Sequence, residues 1–560
     1  MNNRFLLALV LTAIVIVVTP LIFPGSLKRA PVVLSDSLSR RLDTATQVTA
    51  STLKPPTPAL VRDSARASGM SGSAMPETTT VHAGGTTYVL SSLGAAPISL
   101  LLDSYPSHRR GAASGNVQLL SQKYPLISYK LASGRDTIGL DTVVFQVRRD
   151  TVGARTVSFL ANVSNHTVEL AYAFPTDTTG AYLVHLSAKV SDAPTGSQLI
   201  VGLPQTLFAN ETDTTDDLNH LAVSYRSLRG EVSSVAFAKL DTSEVRREGP
   251  VTWAAARNKY FVVIYRSTKT PFSALELRGA QRTGKIAETM VGNVTLPLSS
   301  DGTATFDVYA GPQSFSRLQQ LGGDLDQVNP YAGLLHGVVQ PFTKIVMKAL
   351  LWMKHTTQLN YGWVLVLFGI LIRLVLWPLN QSAMRTSMKM QRLQPELQAL
   401  QKKHSDDPKK QQEAVMAVYK DHGMSPLSPL MGCLPMLLPM PVLFALYQVF
   451  QNTIEFRGVP FLWLSDISQR DPFFITPLLM GISMFAMSWI GMRNSPPNPQ
   501  AKMMSYMMPV MLTVLFLNFA SGLNLYYAVQ NVAAIPQQWL LARERGKQVT
   551  TSTIAGKRRG

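Results

Sequence analysis

A single cysteine stands among 560 residues. One thiol cannot form an intramolecular disulfide or a cysteine-based metal site. Charge is also scarce: Asp, Glu, Lys and Arg make up 15% of the chain, where a soluble domain carries about a quarter. With 46% hydrophobic residues and a mean hydropathy of +0.10, this excludes a disordered chain and a single small domain. It also argues against an ordinary soluble enzyme. Catalytic signatures are missing too: there is no H-E-x-x-H, no G-x-S-x-G and no glycine-rich phosphate loop. His336, His355, His404 and His422 are scattered without metal-ligand spacing.

What the chain does have is unevenly placed. Lys and Arg number 52 against 34 Asp and Glu, a net charge of +18. Residues 341–560 hold 22 bases and 9 acids, and 19 of the 23 methionines follow residue 340. The second part is therefore hydrophobic, basic and Met-rich.

Residues 1–24 read as a membrane anchor. Phe5 to Phe23 is an uncharged run of 19 residues, long enough to cross a bilayer at about 1.5 Å per residue. No A-x-A site follows, which favours an uncleaved anchor over a signal peptide. Residues 25–80, rich in Ser, Thr, Ala and Pro, read as a flexible linker. Residues 81–325 change to short alternating segments, such as Val143–Arg148, Thr156–Leu160, Tyr260–Tyr265 and Thr305–Tyr309, separated by Gly, Pro, Asp and Asn turns. That pattern predicts a mostly antiparallel β-sandwich.

Residues 330–356 predict an amphipathic helix at the membrane surface. Apolar residues fall at 335, 338, 339, 342, 345, 346, 350 and 353, with Lys344, Lys348 and Lys354 off that stripe. Residues 357–542 hold five further apolar segments, at about 361–379, 431–450, 473–490, 503–519 and 523–541. The expected fold is thus a polytopic α-helical membrane protein with six transmembrane helices, one N-terminal anchor and a five-helix C-terminal bundle, carrying a large antiparallel β-sandwich. The segments at 380–430 and 491–502 and the tail at 543–560 are basic, whereas 451–472 has two bases and three acids. Basic loops stay in the cytoplasm. Both termini are expected there, with the β-domain in the periplasm of a bacterial inner membrane.

Arg373 is the only charge in the five later spans. Placing an unpaired Arg at bilayer depth costs at least about 2.5–3.5 kcal/mol, so it either snorkels to the interface or faces a wet cavity. In a cavity it is set to receive an anion, such as a client carboxylate. Residues 383–423 predict a cytoplasmic helical hairpin, its break at Asp406-Asp407-Pro408 offering an N-cap acid and Pro at the first helical position. Arg385, Lys389, Arg392, Lys402, Lys403, Lys409 and Lys410 make it basic. Either anionic lipid or a docked client or ribosome fits that charge. In the third span Pro435, Met436, Pro439, Met440 and Pro441 form a kinked, deformable apolar stretch. In the last, Ser521-Gly522 makes the outside turn, and Tyr526 and Tyr527 belong either to an interfacial belt or to the cavity. Gln530 and Asn531 are costly in lipid and face protein or water.

The stretches Tyr361-Gly362-Trp363, Arg373 with Trp377-Pro378-Leu379, Met390–Pro395, Gly432-Cys433-Leu434-Pro435 with Met440-Pro441, Asp471-Pro472, Pro477–Gly481, and Ser521-Gly522-Leu523 with Tyr526-Tyr527 occur in order. Through them the C-terminal half resembles the YidC/Oxa1/Alb3 family of membrane-protein insertases, in its Gram-negative bacterial form. The N-terminal half is similar to that family's periplasmic domain more weakly, through Trp253, Lys259-Tyr260-Phe261 and Tyr309–Pro312. The resemblance implies a groove open to cytoplasm and lipid, with Arg373 as its arginine and Tyr527 as its sixth-helix tyrosine. Cys433, Pro435, Met440 and their neighbours Met436 and Leu443 would form the client-contact face. Leu515 on the fifth span, with Gly369, Tyr526 and Gln530, completes the expected client site. Gly369 and Pro439 stand where relatives often carry polar residues. Implied partners are nascent membrane-protein clients, the Sec translocon, the ribosome and anionic lipids. No cofactor, metal, catalytic residue or small-molecule substrate is expected. The rival reading, a solute or ion transporter, would call for internal repeats or intramembrane acids, and neither is present in the sequence.

Overall fold

The computed structural model describes residues 75–557, apart from short loops and the stretches 330–335, 383–392, 422–439 and 493–498, with scattered positions up to 406. The expected anchor and linker at 1–74 lie outside the described residues, as do Arg385, Lys389, Arg392, Lys402, Cys433, Pro435, Met436 and Pro439. For Lys409 and Met440 only the backbone, in both cases helical, is described.

Among the described residues, three large antiparallel sheets and a two-stranded ribbon, Arg282–Thr283 with Ile286–Ala287, build the N-terminal part. The largest has nine strands, in the order Val232–Ala236, Ala222–Ser227, Val251–Arg257, Phe261–Ser267, Thr303–Pro312, Leu183–Val190, His166–Ala173, Thr156–Val163 and Gln146–Arg149. A six-stranded sheet centred on Met290–Pro297 and Gln198–Gly202 packs against it, and a four-stranded sheet, Thr78–Ala83 to Asn116–Gln118, joins the same core. Alternation explains the layers. In His166–Ala173, Val168, Leu170 and Tyr172 point into the sandwich while the residues between them are half-buried. The two sheets are tied by buried hydroxyls: Tyr129 donates to Tyr172 at 2.7 Å, and Tyr172 to the Ala95 carbonyl at 2.6 Å.

Phe261–Tyr265 breaks the expected alternation, since all five residues are buried. Val263 and Tyr265 face the sandwich. Val262 and Ile264 face the other way, where Leu318, Leu325 and Val328 cover them together with Trp253 and Tyr309. A strand covered on both faces reads as one apolar run. The covering segment includes the first helix used below, α1 (Phe315–Leu321).

Among the described residues, the helices of the C-terminal bundle are α2 (His336–Thr357), α3 (Tyr361–Val375), α5 (Met440–Asn452), α6 (Ile475–Met492), α7 (Pro499–Phe516) and α8 (Ser521–Lys557). α2 and α3 meet at a bend of 118°. Among the described helices, α6 is the one that by itself is long and apolar enough to cross a membrane. Its neighbours are shorter, or carry Pro509 in α7 and Pro536 in α8, so the expected six spans are not read from helix length alone. α8 also runs past the expected end of the last span, continuing to Lys557.

The stripe expected on α2 is divided. Val339, Val346, Leu350 and Met353 are buried against protein, joined by Thr343 and Met347, while Phe342, Ile345 and Trp352 are exposed. One face of the helix therefore packs on the bundle and a second apolar face is left exposed. Hydrophobicity alone does not separate two apolar faces. Lys344 pairs with Asp326 at 2.9 Å.

Candidate functional site

α3 and α8 lie side by side, and glycine allows it. A Cβ built at the buried Gly369 would stand 3.2 Å from Val529 Cγ1 and 3.5 Å from Tyr526. One turn on, Arg373 shares the face of Gly369, and Trp377 follows at the next turn. On α8 the residues that meet this face are Tyr526, Val529 and Gln537. Tyr526 at the level of Gly369, and Gln537 at the level of Trp377, make the two helices parallel.

Arg373 sits in the last turn of α3, where a cation is favoured by the helix dipole. Its Nη2 donates to Gln537 Oε1 at 2.7 Å. Gln537, only 2% exposed, uses its own amide to donate to the Trp377 carbonyl at 3.1 Å. Gln537 is thus fixed at both ends. Arg373 Nε is buried and has no partner among the described residues. Tyr526, also within reach of the Arg373 charge, is buried, its hydroxyl without a partner among the described residues and its ring 5.9 Å from that of Phe368.

A neutral amide orients the guanidinium without cancelling its charge. A hydrogen bond to a charged group contributes roughly 1.5–3 kcal/mol, enough to hold the fork in place. A carboxylate at the same position would have held it as well but removed the net positive charge. The arrangement leaves a positioned cation with unused donors, suited to a carboxylate or another anion.

The other expected residues fall in different places. Gly369 is part of the contact between α3 and α8. Tyr527 is half-buried, its ring 6.1 Å from that of Phe516. Gln530 is buried at 6% exposure, and Asn531 donates to Ser483 at 3.3 Å, so both face protein. Leu443 and Leu515 are half-buried and pack on the bundle core. In the hairpin, Asp407 caps α4 (Pro408–Asp421) by accepting from the Lys410 N–H at 3.2 Å. Leu393, Leu397 and Leu400 of the preceding segment pack on Val415, Val418 and Tyr419. Lys403 and Lys410 are exposed on it.

Two features escape the sequence reading. Gln537 carries no signal of its own, being one of several amides on α8; its spacing of eleven from Tyr526, three helical turns, is the only clue. The second is the junction between sheets and bundle, built from 451–472. Arg457, its side chain 2% exposed, donates to Glu211 at 2.8 Å and to the Pro106 carbonyl at 2.9 Å. Glu455 Oε1 accepts from the Ser314 hydroxyl at 3.1 Å and the Phe315 N–H at 2.9 Å, at the start of α1. Its Oε2 is buried without a partner among the described residues. Burial pushes the Glu455 carboxyl up to about 7, which places a proton on that free oxygen in mildly acidic conditions. Burial likewise lowers His108, which stands 3.8 Å from both Glu211 and Asp466.

Comparison with known proteins agrees with this architecture. Residues 78–345 match the family described as the YidC periplasmic domain, and residues 352–548 match the 60Kd inner membrane protein family. The membrane protein insertase YidC of Azotobacter vinelandii is 29% identical over 423 residues, 74% of this chain and 70% of that protein. That of Anaeromyxobacter dehalogenans is 36% identical over 315 residues, 55% of each chain. A crystal structure of an active YidC insertase with its first transmembrane domain resolved covers 82% of this chain and 92% of its own, at 19% identity and a TM-score of 0.33.

Proposed function

This chain belongs to the YidC family of membrane protein insertases, and from that premise we propose that it moves the hydrophobic segments of client proteins into the bacterial inner membrane through a polar groove beside α3 and α8. Six spans, counting the N-terminal anchor, would place both termini in the cytoplasm and the β-domain in the periplasm. The charge asymmetry of the loops supports that orientation.

The observation that carries the mechanism is the Arg373–Gln537 hydrogen bond at 2.7 Å. It presents an oriented cation that no described acid neutralises. A client's short acidic tail would enter toward Arg373, and its hydrophobic segment would slide along the third and fifth spans, past Pro435, Met436, Met440, Leu443 and Leu515. A groove shortens the depth over which polar groups are stripped of water, which lowers the barrier. Burial of the apolar segment in lipid drives the step, so no nucleotide or cofactor is required. The basic hairpin at 383–423 would collect nascent clients at the membrane face, with the ribosome and anionic lipids as further partners. The Sec translocon is a further partner of the same reading.

The test is insertion into proteoliposomes of two clients differing only in tail charge. Arg373→Ala is expected to slow the acidic-tailed client several-fold more than the neutral-tailed one. Equal loss for both would remove the electrostatic role.

A further inference from the structure

The segment Phe461–Leu464 is a tight hairpin. Phe461 N–H donates to the Leu464 carbonyl and Leu464 N–H to the Phe461 carbonyl, both at 2.9 Å, leaving Leu462 and Trp463 as a two-residue loop. Leu462 has φ +52°, at the first central position, where such loops favour Gly. A leucine there is strained, and its side chain is 67% exposed. Twelve residues on, Phe474 repeats the pattern, with φ +56° and 41% exposure, beside Phe473 at 66%. Two bulky apolar residues thus hold left-handed backbone in order to point outward. In water this costs twice, in strain and in exposed apolar surface, and a glycine would remove both costs.

The surrounding structure holds the tip rigidly. Phe461 seats on Gly362, where a Cβ would stand 2.0 Å from its ring, and its ring meets Trp363 edge-on at 5.3 Å. Trp463 Nε1 donates to Asp471 Oδ2 at 3.2 Å, and the fully buried Asp471 also accepts from the Thr476 N–H at 2.7 Å. The tip is therefore clamped between the first turns of α3 and α6. No charged residue occurs from Gly458 to Ser465. Exposed apolar side chains continue beyond the rim, on α3 at Leu367, Leu371 and Leu374 and on α6 at Leu478, Ile482 and Phe485.

We propose that Leu462, Trp463, Phe473 and Phe474 form a wedge seated in the leaflet on the β-domain side of the membrane, at the boundary between acyl chains and headgroups, with bilayer lipid as its partner. The exposed apolar residues of α3 and α6, the two helices that clamp the tip, select lipid over a protein partner, since all three segments present uncharged side chains outward. Aromatic residues prefer that depth, where the ring is buried and the indole N–H stays near polar groups. The rigid clamp fixes how deep the outer end of the bundle rides, and with it the height of the β-domain above the lipid. This inference rests on the spanning reading of the bundle.

The experiment uses the full chain carrying Cys433→Ser, in vesicles of phosphatidylethanolamine and phosphatidylglycerol. A nitroxide is attached through Leu462→Cys or Phe473→Cys, and collisions with oxygen and with a water-soluble nickel chelate are compared. Leu371→Cys on α3 tests the spanning reading, and Ser300→Cys on an exposed turn of the β-domain gives the water value. The wedge requires an oxygen-to-nickel ratio at 462 and 473 several-fold above that at 300 and below that at 371. A water-like ratio at 462 with a lipid-like ratio at 371 overturns the wedge and leaves the spanning reading intact. Water-like ratios at both overturn the two together. A label at 462 shielded from both reagents shows a protein cover and also overturns the proposal. Introducing Leu462→Asp beside the label at 473 is expected to move that label toward water by a several-fold drop in the ratio; no movement counts against the wedge. Leu462→Gly, which relieves the strained backbone, keeps the fold and serves as the check that the effect of Asp is not unfolding.

Discussion

Arg373 and Gln537 stand 164 positions apart and share a 2.7 Å hydrogen bond, with the Gln537 amide anchored on the Trp377 carbonyl of the arginine's own helix segment. The guanidinium is thereby aimed by a neutral group. This separates two properties that a salt bridge would merge, orientation and charge.

Gln537→Glu tests that separation. The carboxylate would keep the arginine oriented and cancel its charge, so insertion of an acidic-tailed client is expected to fall nearly as far as with Arg373→Ala. Gln537→Leu keeps the charge and loses the orientation, and is expected to give an intermediate defect. Initial insertion rates of acidic-tailed and neutral-tailed clients distinguish the three variants.

Glu455 gives the junction a pH dependence. Its folded pKa of about 7 is raised above the ordinary carboxyl value of 4.5, so the folded state holds a proton that the unfolded state releases. Stability is then highest below the unfolded value and declines as pH rises through the window from 4.5 to about 7, by at most about 3 kcal/mol. Glu455→Gln keeps an oxygen for Ser314 and Phe315 and cannot ionise. It is expected to flatten this decline, measured as the urea midpoint of the full chain in detergent between pH 5 and pH 8.

Gly369 poses two opposing effects. Alanine is favoured over glycine inside a helix by about 1 kcal/mol, but overpacking costs about 1–3 kcal/mol. With Val529 Cγ1 3.2 Å from the new Cβ, Gly369→Ala is expected to be near neutral in thermal unfolding. Gly369→Val has no room and is expected to lower the midpoint by several degrees and weaken the Arg373 site with it.

Photo-crosslinkers at Met436 or Met440 are expected to capture a nascent hydrophobic segment, while one at Leu374 captures far less. Leu374 is 59% exposed on the outer side of α3. Equal capture at all three positions would count against a defined path along the third span.

Several of these elements were legible from residues alone. The β-sandwich followed from period-two segments and their turns, and the N-cap at Asp407 from an acid placed before proline. Attention to Arg373 followed from its solitude among the later apolar segments. These are local patterns, or counts, and they survive without coordinates. The contact of Gly369 with Tyr526 and Val529 was not legible in the same way, because it joins residues about 160 positions apart.

The sequence by itself therefore determined the composition boundary, the sheet class, most of the helical segments and the isolation of Arg373 among apolar stretches. Each depends on periodicity or on the cost of a charge in lipid, and both act within a single segment. Tertiary structure decided which face of α2 turns toward protein, that Phe261–Tyr265 is covered on both sides, and that Glu455 and Arg457 dock the sheets on the bundle. It also decided that Gln537, rather than an acid, meets Arg373. Those outcomes depend on which distant residues share a contact, and a hydrogen bond across 164 positions leaves no periodic trace in the chain.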